Sequence, residues 1–250
     1  MSSKSRLDEI RERGALRIAV EFSDPPEVDG FPPEFYIDPK TGEPWGIAPI
    51  IGRLIANDLG VKLECVDLPW PMHIPALLSG EVDLLPKHTN TPARALDVEF
   101  AVRGLTAYRV TALIPKKSSI TDKAELNHEG KTIAVWHGSS IRDIIRREFP
   151  LATMKEFRSP SREIEDGRAD ACLTDSVTKI FMEKHPDLKF LRDGDGKLTI
   201  FSREVVHPSI KPGDPRFLNW LNNWLEYHWA QGTLYDWCET WWESWMADRE

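Results

Sequence analysis

Between Val82 and Arg94 the chain reads VDLLPKHTNTPAR. An apolar run, Val82 to Leu85, is followed by Lys87, His88, Thr89, Asn90 and Thr91, and Arg94 falls where the pattern predicts the start of a helix. Two cations, hydroxyls and an amide in one polar loop suit a carboxylate or another small anion. Guanidinium can bind such a group bidentately, while hydroxyls and helix-start N–H groups fill the remaining lone pairs. In an open α/β sheet, ligands settle outside the carboxyl ends of the strands, which is where a loop after Leu85 falls. Each residue also has a plainer reading. Arg94 can pair with Asp97 or Glu99 at the surface, and Lys87 can be simply solvated.

The elements around this loop must hold it. Arg6 to Gly14 is predicted as a short amphipathic helix ended by its glycine, and Leu16 to Glu21, LRIAVE, as a first buried strand. Ile47 to Leu59 is predicted as a helix closed by Gly60, Val61 to Asp67 as a second strand, Ile74 to Leu78 as a short helix and Val82 to Leu85 as a third strand. This βαβα progression argues for a doubly wound sheet. Phe22 to Gly46 is dense in proline, which fixes φ and removes donors, so an ordered irregular loop is expected there, with PKTGEP as a hairpin tip. That loop is expected to shape a pocket through Glu21, Phe22, Ser23 or Phe35.

From Lys131 onward the logic repeats on a smaller scale. Strands are expected at Lys131 to Val135, Thr153 to Phe157, Ala171 to Leu173, Phe190 to Leu191 and Leu198 to Phe201. Helices are expected at Ile141 to Phe149, Ser161 to Gly167 and Val177 to His185. Arg216 to the end reads as helix broken at Gly232, and it carries Trp220, Trp224, Trp229, Trp237, Trp241, Trp242 and Trp245. Helical spacing such as 220/224 and 237/241 makes core packing the expectation for these rings, ahead of a carbohydrate or membrane surface.

Composition narrows the class. Hydrophobic residues are 41% and charged residues 29% of the 250 residues, an ordinary globular balance. The net charge of −8 argues against a nucleic-acid partner, and no apolar run is long enough to span a bilayer. Cys65, Cys172 and Cys238 have no CxxC and no metal-ligand spacing, so reduced, mostly buried thiols are expected, with neither metal nor cofactor. The N-terminus, MSSKSRLDEI, lacks the apolar region of a secretory signal.

Several stretches in this order, LDEIRERGALRIAV, W..HIPALLSGEVDLL, T.TPAR...VEF, KTIAVWHGSS, DGRADACLTDS and NWLNNWLEYHWAQGTLYDW, resemble the extracytoplasmic solute-binding proteins of polar amino acid ABC importers. The resemblance extends from about Leu7 to the C-terminus. It implies two doubly wound α/β lobes joined by a two-crossing hinge, the periplasmic binding protein-like type II fold. Lobe 1 would be residues 1–113 plus 208–250 and lobe 2 residues 114–207, with an amino acid-like ligand between them and hinge closure around it. It further implies a periplasmic or extracytoplasmic location with the export signal removed, a monomer, and an ABC transporter permease as partner.

The same resemblance assigns roles. Arg94 would pair with the ligand carboxylate, aided by Thr89 and by Ser140 ahead of a second-lobe helix. Asp175 would receive the ammonium, and Trp70 would pack on the ligand. The plainer readings are an N-cap role for Asp175 at a helix beginning at Val177, a cap role for Ser140, and simple core for Trp70. Two departures from the family pattern stand out. Lys87 replaces a small residue, implying a second ligand anion, a bridging water or a neutralising carboxylate such as Glu21. Trp136 and His137 add bulk, and with Trp70 and Phe22 they would make an aromatic pocket suited to quaternary ammonium or ring-bearing ligands.

Two alternatives use the same scaffold. One is a cyclohexadienyl or arogenate dehydratase, which needs a positioned general acid. The acid expected three residues after the aspartate of the TD motif is Thr178 here, although His137, His88 or Glu21 could supply a proton. The other is the ligand-sensing domain of a receptor. No GxSxG, HExxH or P-loop occurs.

Overall fold

The computed structural model describes residues 4–22, 30–31, 33–38, 40–175 and 177–249. The chain divides into two units, Met1–Thr106 with Val205–Ser244 and Ala107–Glu204 with Trp245–Glu250.

In the first unit, α1 (Arg6–Arg13) begins at Ser5, whose hydroxyl accepts the Leu7 N–H, and stops at Gly14 in the left-handed conformation. β1 (Ala15–Val20) follows. The proline-rich stretch differs from expectation. Its described residues hold three short strands, β2 (Gly30–Phe31), β3 (Phe35–Ile37) and β4 (Pro44–Trp45), in one antiparallel sheet. Pro44 lies on the edge strand of that sheet, where a missing N–H need not interrupt a ladder. The expected hairpin tip is present: the Asp38 N–H donates to the Glu43 carbonyl at 2.9 Å.

α2 (Ile47–Leu59) starts at Gly46 without a side-chain cap. Its first donors are met instead by backbone carbonyls, Ile47 N–H to Pro33 O at 2.8 Å and Ala48 N–H to Glu34 O at 3.1 Å. β5 (Lys62–Asp67) runs parallel to β1, with Ile18 opposite Cys65. A 3₁₀ turn, Trp70–Met72, leads into α3 (His73–Ser79).

The third strand corrects the sequence reading. Leu84 makes only a parallel bridge to Ile18, and the strand proper, β6 (Leu85–Thr89), contains the residues expected in a polar loop. All of its residues are buried, and it pairs antiparallel with the last strand of the chain, Val206 opposite Thr89 and His207 opposite His88. Backbone pairing and side-chain partners make a buried strand of polar residues tenable. Asp83 enters β6 with its carboxylate buried and bound by Arg6 at 2.7 Å, Arg17 at 2.9 Å and Arg13. β7 (Glu99–Phe100) completes this stretch.

β8 (Thr106–Pro115) carries the chain into the second unit. There follow β9 (Thr132–Trp136), α4 (Ile141–Glu148), β10 (Thr153–Phe157), α5 (Pro160–Glu165), β11 (Ala171–Thr174), α6 (Lys179–Lys184) and β12 (Leu188–Phe190). β9 pairs parallel with β10 and β11, and β8 pairs antiparallel with β11 and β12. Ile141, Ile144 and Ile145 of α4 pack on Ile133 and Val135 of β9 in one core. Leu198 to Phe201 form no strand beyond a bridge between Leu198 and Arg192.

β13 (Ser202–Ile210) returns the chain, and α7 (Pro215–Ala230) is capped by Asp214, which accepts the Phe217 N–H at 2.9 Å. The tryptophans of this region are packed, as their spacing predicts. None is exposed; Trp242 is fully buried, and the Trp224 indole N–H donates to Asp58 at 2.7 Å. The three cysteines are free thiols, and burial pushes Cys65 up to about 11 and Cys172 up to about 12. Among the described residues, no helix is long and apolar enough to cross a membrane.

Candidate functional site

Because successive side chains of a strand point to opposite faces, β6 presents two sets of groups. His88 faces one way and Lys87 with Thr89 the other. On the His88 side, the 3₁₀ turn places Trp70 flat on the imidazole, ring centroids 4.3 Å apart and planes 3° apart. His73, the first residue of α3, tilts against both rings, at 5.0 Å from Trp70 and 5.5 Å from His88. Its Nε2–H donates to the Leu68 carbonyl at 3.1 Å.

These imidazoles are neutral. Burial pushes His73 down to about 4 and His88 well below the ordinary histidine value, and the positive charge of Arg94 acts in the same direction on each.

Arg94 lies in a 3₁₀ turn, Arg94–Leu96, rather than a longer helix. Its backbone N–H donates to Thr91 Oγ1 at 3.2 Å, and its Nη1 donates to the Thr89 carbonyl at 3.3 Å. The guanidinium carbon stands 5.9 Å from the Trp70 ring centroid. Three of the expected site positions, Trp70, Thr89 and Arg94, therefore meet in one place together with His88, on a strand end and two adjoining turns.

Lys87 is not a solvated lysine. It is 5% exposed, forms an ion pair with Glu34, and carries its ammonium 5.8 Å from the centroid of the fully buried Trp242. Sequence reasoning did not single out Glu34. It comes from the proline-rich segment, just before β3, and is fixed by its own carbonyl at the start of α2. A buried lysine demands a nearby carboxylate, but sequence alone cannot say which of several acids in that segment folds back. Glu21 is buried at the end of β1, Phe35 is buried and Phe22 half-buried, while Ser23 lies outside the described residues.

In the second unit the expected residues sit at the carboxyl ends of β9 and β11. Ala171 and Cys172 of β11 pair with Ile133 and Ala134 of β9, the strand that ends at Trp136. Ser140 precedes α4 but does not cap it. Its hydroxyl donates to Glu204 Oε2 at 3.0 Å, and Ser139 Oγ accepts the Ile141 N–H at 3.2 Å instead. His137 and Arg142 flank Glu156, at 3.2 and 3.4 Å. Asp175 is half-buried and is not the cap of α6, which starts two residues later than predicted. Thr178 caps it, accepting the Phe181 N–H at 3.0 Å. The position where an elimination enzyme of this scaffold would carry its acid is thus a buried helix cap.

What the first-unit arrangement can do is hold an anion: a guanidinium is positioned over an aromatic ring beside neutral imidazoles, at the end of a buried strand.

The sequence profile of bacterial extracellular solute-binding proteins, family 3, matches residues 27–244. Comparison with curated protein sequences gives no match. Among solved structures, the chain is similar to an ancestral amino acid-binding protein described as a precursor of cyclohexadienyl dehydratase. Identity is 30%, coverage 95% of this chain and 100% of that one, and the TM-score 0.79. A mutant of ArgBP from T. maritima is 26% identical, covering 95% and 99%, with a TM-score of 0.78. A putative ABC transporter binding component from Wolinella succinogenes, complexed with lysine, is 27% identical, covering 95% and 97%, with a TM-score of 0.74. The mixed α/β units are those of a type II periplasmic binding protein, and the chain belongs to the bacterial extracellular solute-binding proteins, family 3.

Proposed function

We propose that this protein binds a free α-amino acid outside the cytoplasm, as a single chain, and delivers it to the permease of an ABC importer. Arg94 takes the ligand carboxylate with help from Thr89, and Trp70 packs on the ligand. The observation that carries this reading is the posture of Arg94. Its guanidinium is drawn to the Thr89 carbonyl and held near the Trp70 ring, so little side-chain entropy remains to be lost on binding a carboxylate. Similarity to amino acid-binding proteins along nearly the whole chain supports it.

The test is a thermal-shift screen against the standard amino acids, betaines, small dicarboxylates and prephenate. A ligand at a hundredfold its dissociation constant adds about 2.7 kcal/mol, and a chain of this size gains about 2–4 °C per kcal/mol. One clear amino acid hit is expected; silence across every amino acid would overturn the reading.

A second reading, an eliminating enzyme, is favoured by one observation, the likeness to a precursor of a dehydratase. The threonine cap at position 178 speaks against it. Disappearance of prephenate on incubation with the protein would establish it.

A further inference from the structure

The fold places two cations on one short stretch, Lys87 within β6 and Arg94 in the 3₁₀ turn that follows it. Of the two, it is Lys87 that shares a face of β6 with the Thr89 side chain, one pleat repeat away. A second cation two residues along the strand from Thr89 would ordinarily select a ligand with two acidic groups. Here a protein carboxylate already occupies it. The side chains of Lys87 and Glu34 are 6% and 13% exposed, and the ammonium also lies near the face of Trp242.

Glu34 does not reach Lys87 on a loose tether. The Pro33 and Glu34 carbonyls accept the first two N–H groups of α2, and the next residue, Phe35, is buried and paired with Phe31 across the small sheet. The carboxylate is therefore delivered by a segment anchored on both sides.

We propose that Glu34 is the residue that sets charge selectivity: its ion pair with Lys87 stands in for a second ligand carboxylate and restricts the site to amino acids with one. The inference rests on the reading of Arg94 as the carboxylate clamp. It makes the proline-rich segment a specificity element, and glutamate and aspartate the excluded class. Removing the Glu34 charge leaves a buried ammonium without this partner, a state that a ligand's side-chain carboxylate can relieve by a charge-assisted hydrogen bond.

The experiment is calorimetric titration of the wild type, Glu34→Gln and the double variant Glu34→Gln/Lys87→Met with glutamate, aspartate and the neutral and cationic amino acids. In Glu34→Gln the affinity ratio of dicarboxylic to monocarboxylic ligands rises by about tenfold or more, the scale of one hydrogen bond to a charged group. That gain disappears in the double variant. An unchanged ratio in a Glu34→Gln protein that melts cooperatively and still binds the wild-type ligand overturns the inference, as does a wild type that prefers glutamate or aspartate.

If Glu34→Gln does not fold, the charge swap Glu34→Lys/Lys87→Glu keeps the pair and must still exclude dicarboxylates; their binding there overturns it equally. Failure of every amino acid to bind the wild type is a different result, and it strikes the clamp itself.

Discussion

Trp70 lies flat on His88, 4.3 Å between ring centroids and 3° between planes, and the guanidinium of Arg94 stands over the same indole. The stack joins the turn after β5 to the C-terminal part of β6. Burial of the His73 and His88 imidazoles and the nearby guanidinium, rather than the stack itself, lower their affinity for a proton.

Acid should therefore loosen the first unit. His73 and His88 are held below their ordinary value of 6.5, His73 at about 4, so the folded state binds fewer protons than the unfolded chain across that interval. Their contribution is complete above pH 6.5 and is lost as pH falls toward 4, at up to about 1.4 kcal/mol per pH unit for each imidazole. Urea denaturation of wild type and His73→Gln between pH 7.5 and 4.5 checks this. The variant's stability must fall less steeply, and parallel curves would refute the assignment.

The buried carboxylate of Asp83 governs how β6 is seated. It pairs with Arg6, Arg13 and Arg17 and also accepts the Arg17 backbone N–H at 2.8 Å. Because the arginines keep some solvent, Asp83→Ala is expected to cost about 3 kcal/mol, the lower end for breaking a buried pair. Chemical denaturation reads this directly, and a loss below about 1 kcal/mol, typical of a surface pair, would contradict it.

Gly46 guards the placement of Glu34. Its φ is +113°, and a Cβ there would lie 2.6 Å from the Glu34 carbonyl oxygen and 2.8 Å from that of Pro33. Gly46→Ala should destabilise the protein by about 1–3 kcal/mol through strain and displaced backbone. It should also shift ligand selectivity in the same direction as Glu34→Gln. Gly42→Ala, with φ of +71° but open space around it, is the control for backbone strain alone.

Much of this was legible in the residues. Periodicity and glycine punctuation give α1, β1, α2, β9, β10 and α7 nearly to their ends, since each buries one apolar set and stops at a glycine, a proline or a polar turn. The T.TPAR motif marks Arg94 and the tryptophan spacings mark packing. What stayed hidden depends on long-range partners. Lys87, His88 and Thr89 look like a loop because nothing local tells a polar strand from a polar turn; β13 and Glu34 make it a strand, and they lie far away in sequence or inside a proline-rich run. Likewise Ser140 and Asp175 carry cap-like signatures, yet Ser139 and Thr178 receive the helix-end donors.

The most direct test of the central claim is calorimetric titration of wild type and Arg94→Ala with the amino acid that gives the largest thermal shift. The account predicts saturable one-to-one binding by the wild type and none measurable by Arg94→Ala, whose unliganded melting temperature stays close to that of the wild type. Undiminished affinity in Arg94→Ala would contradict it.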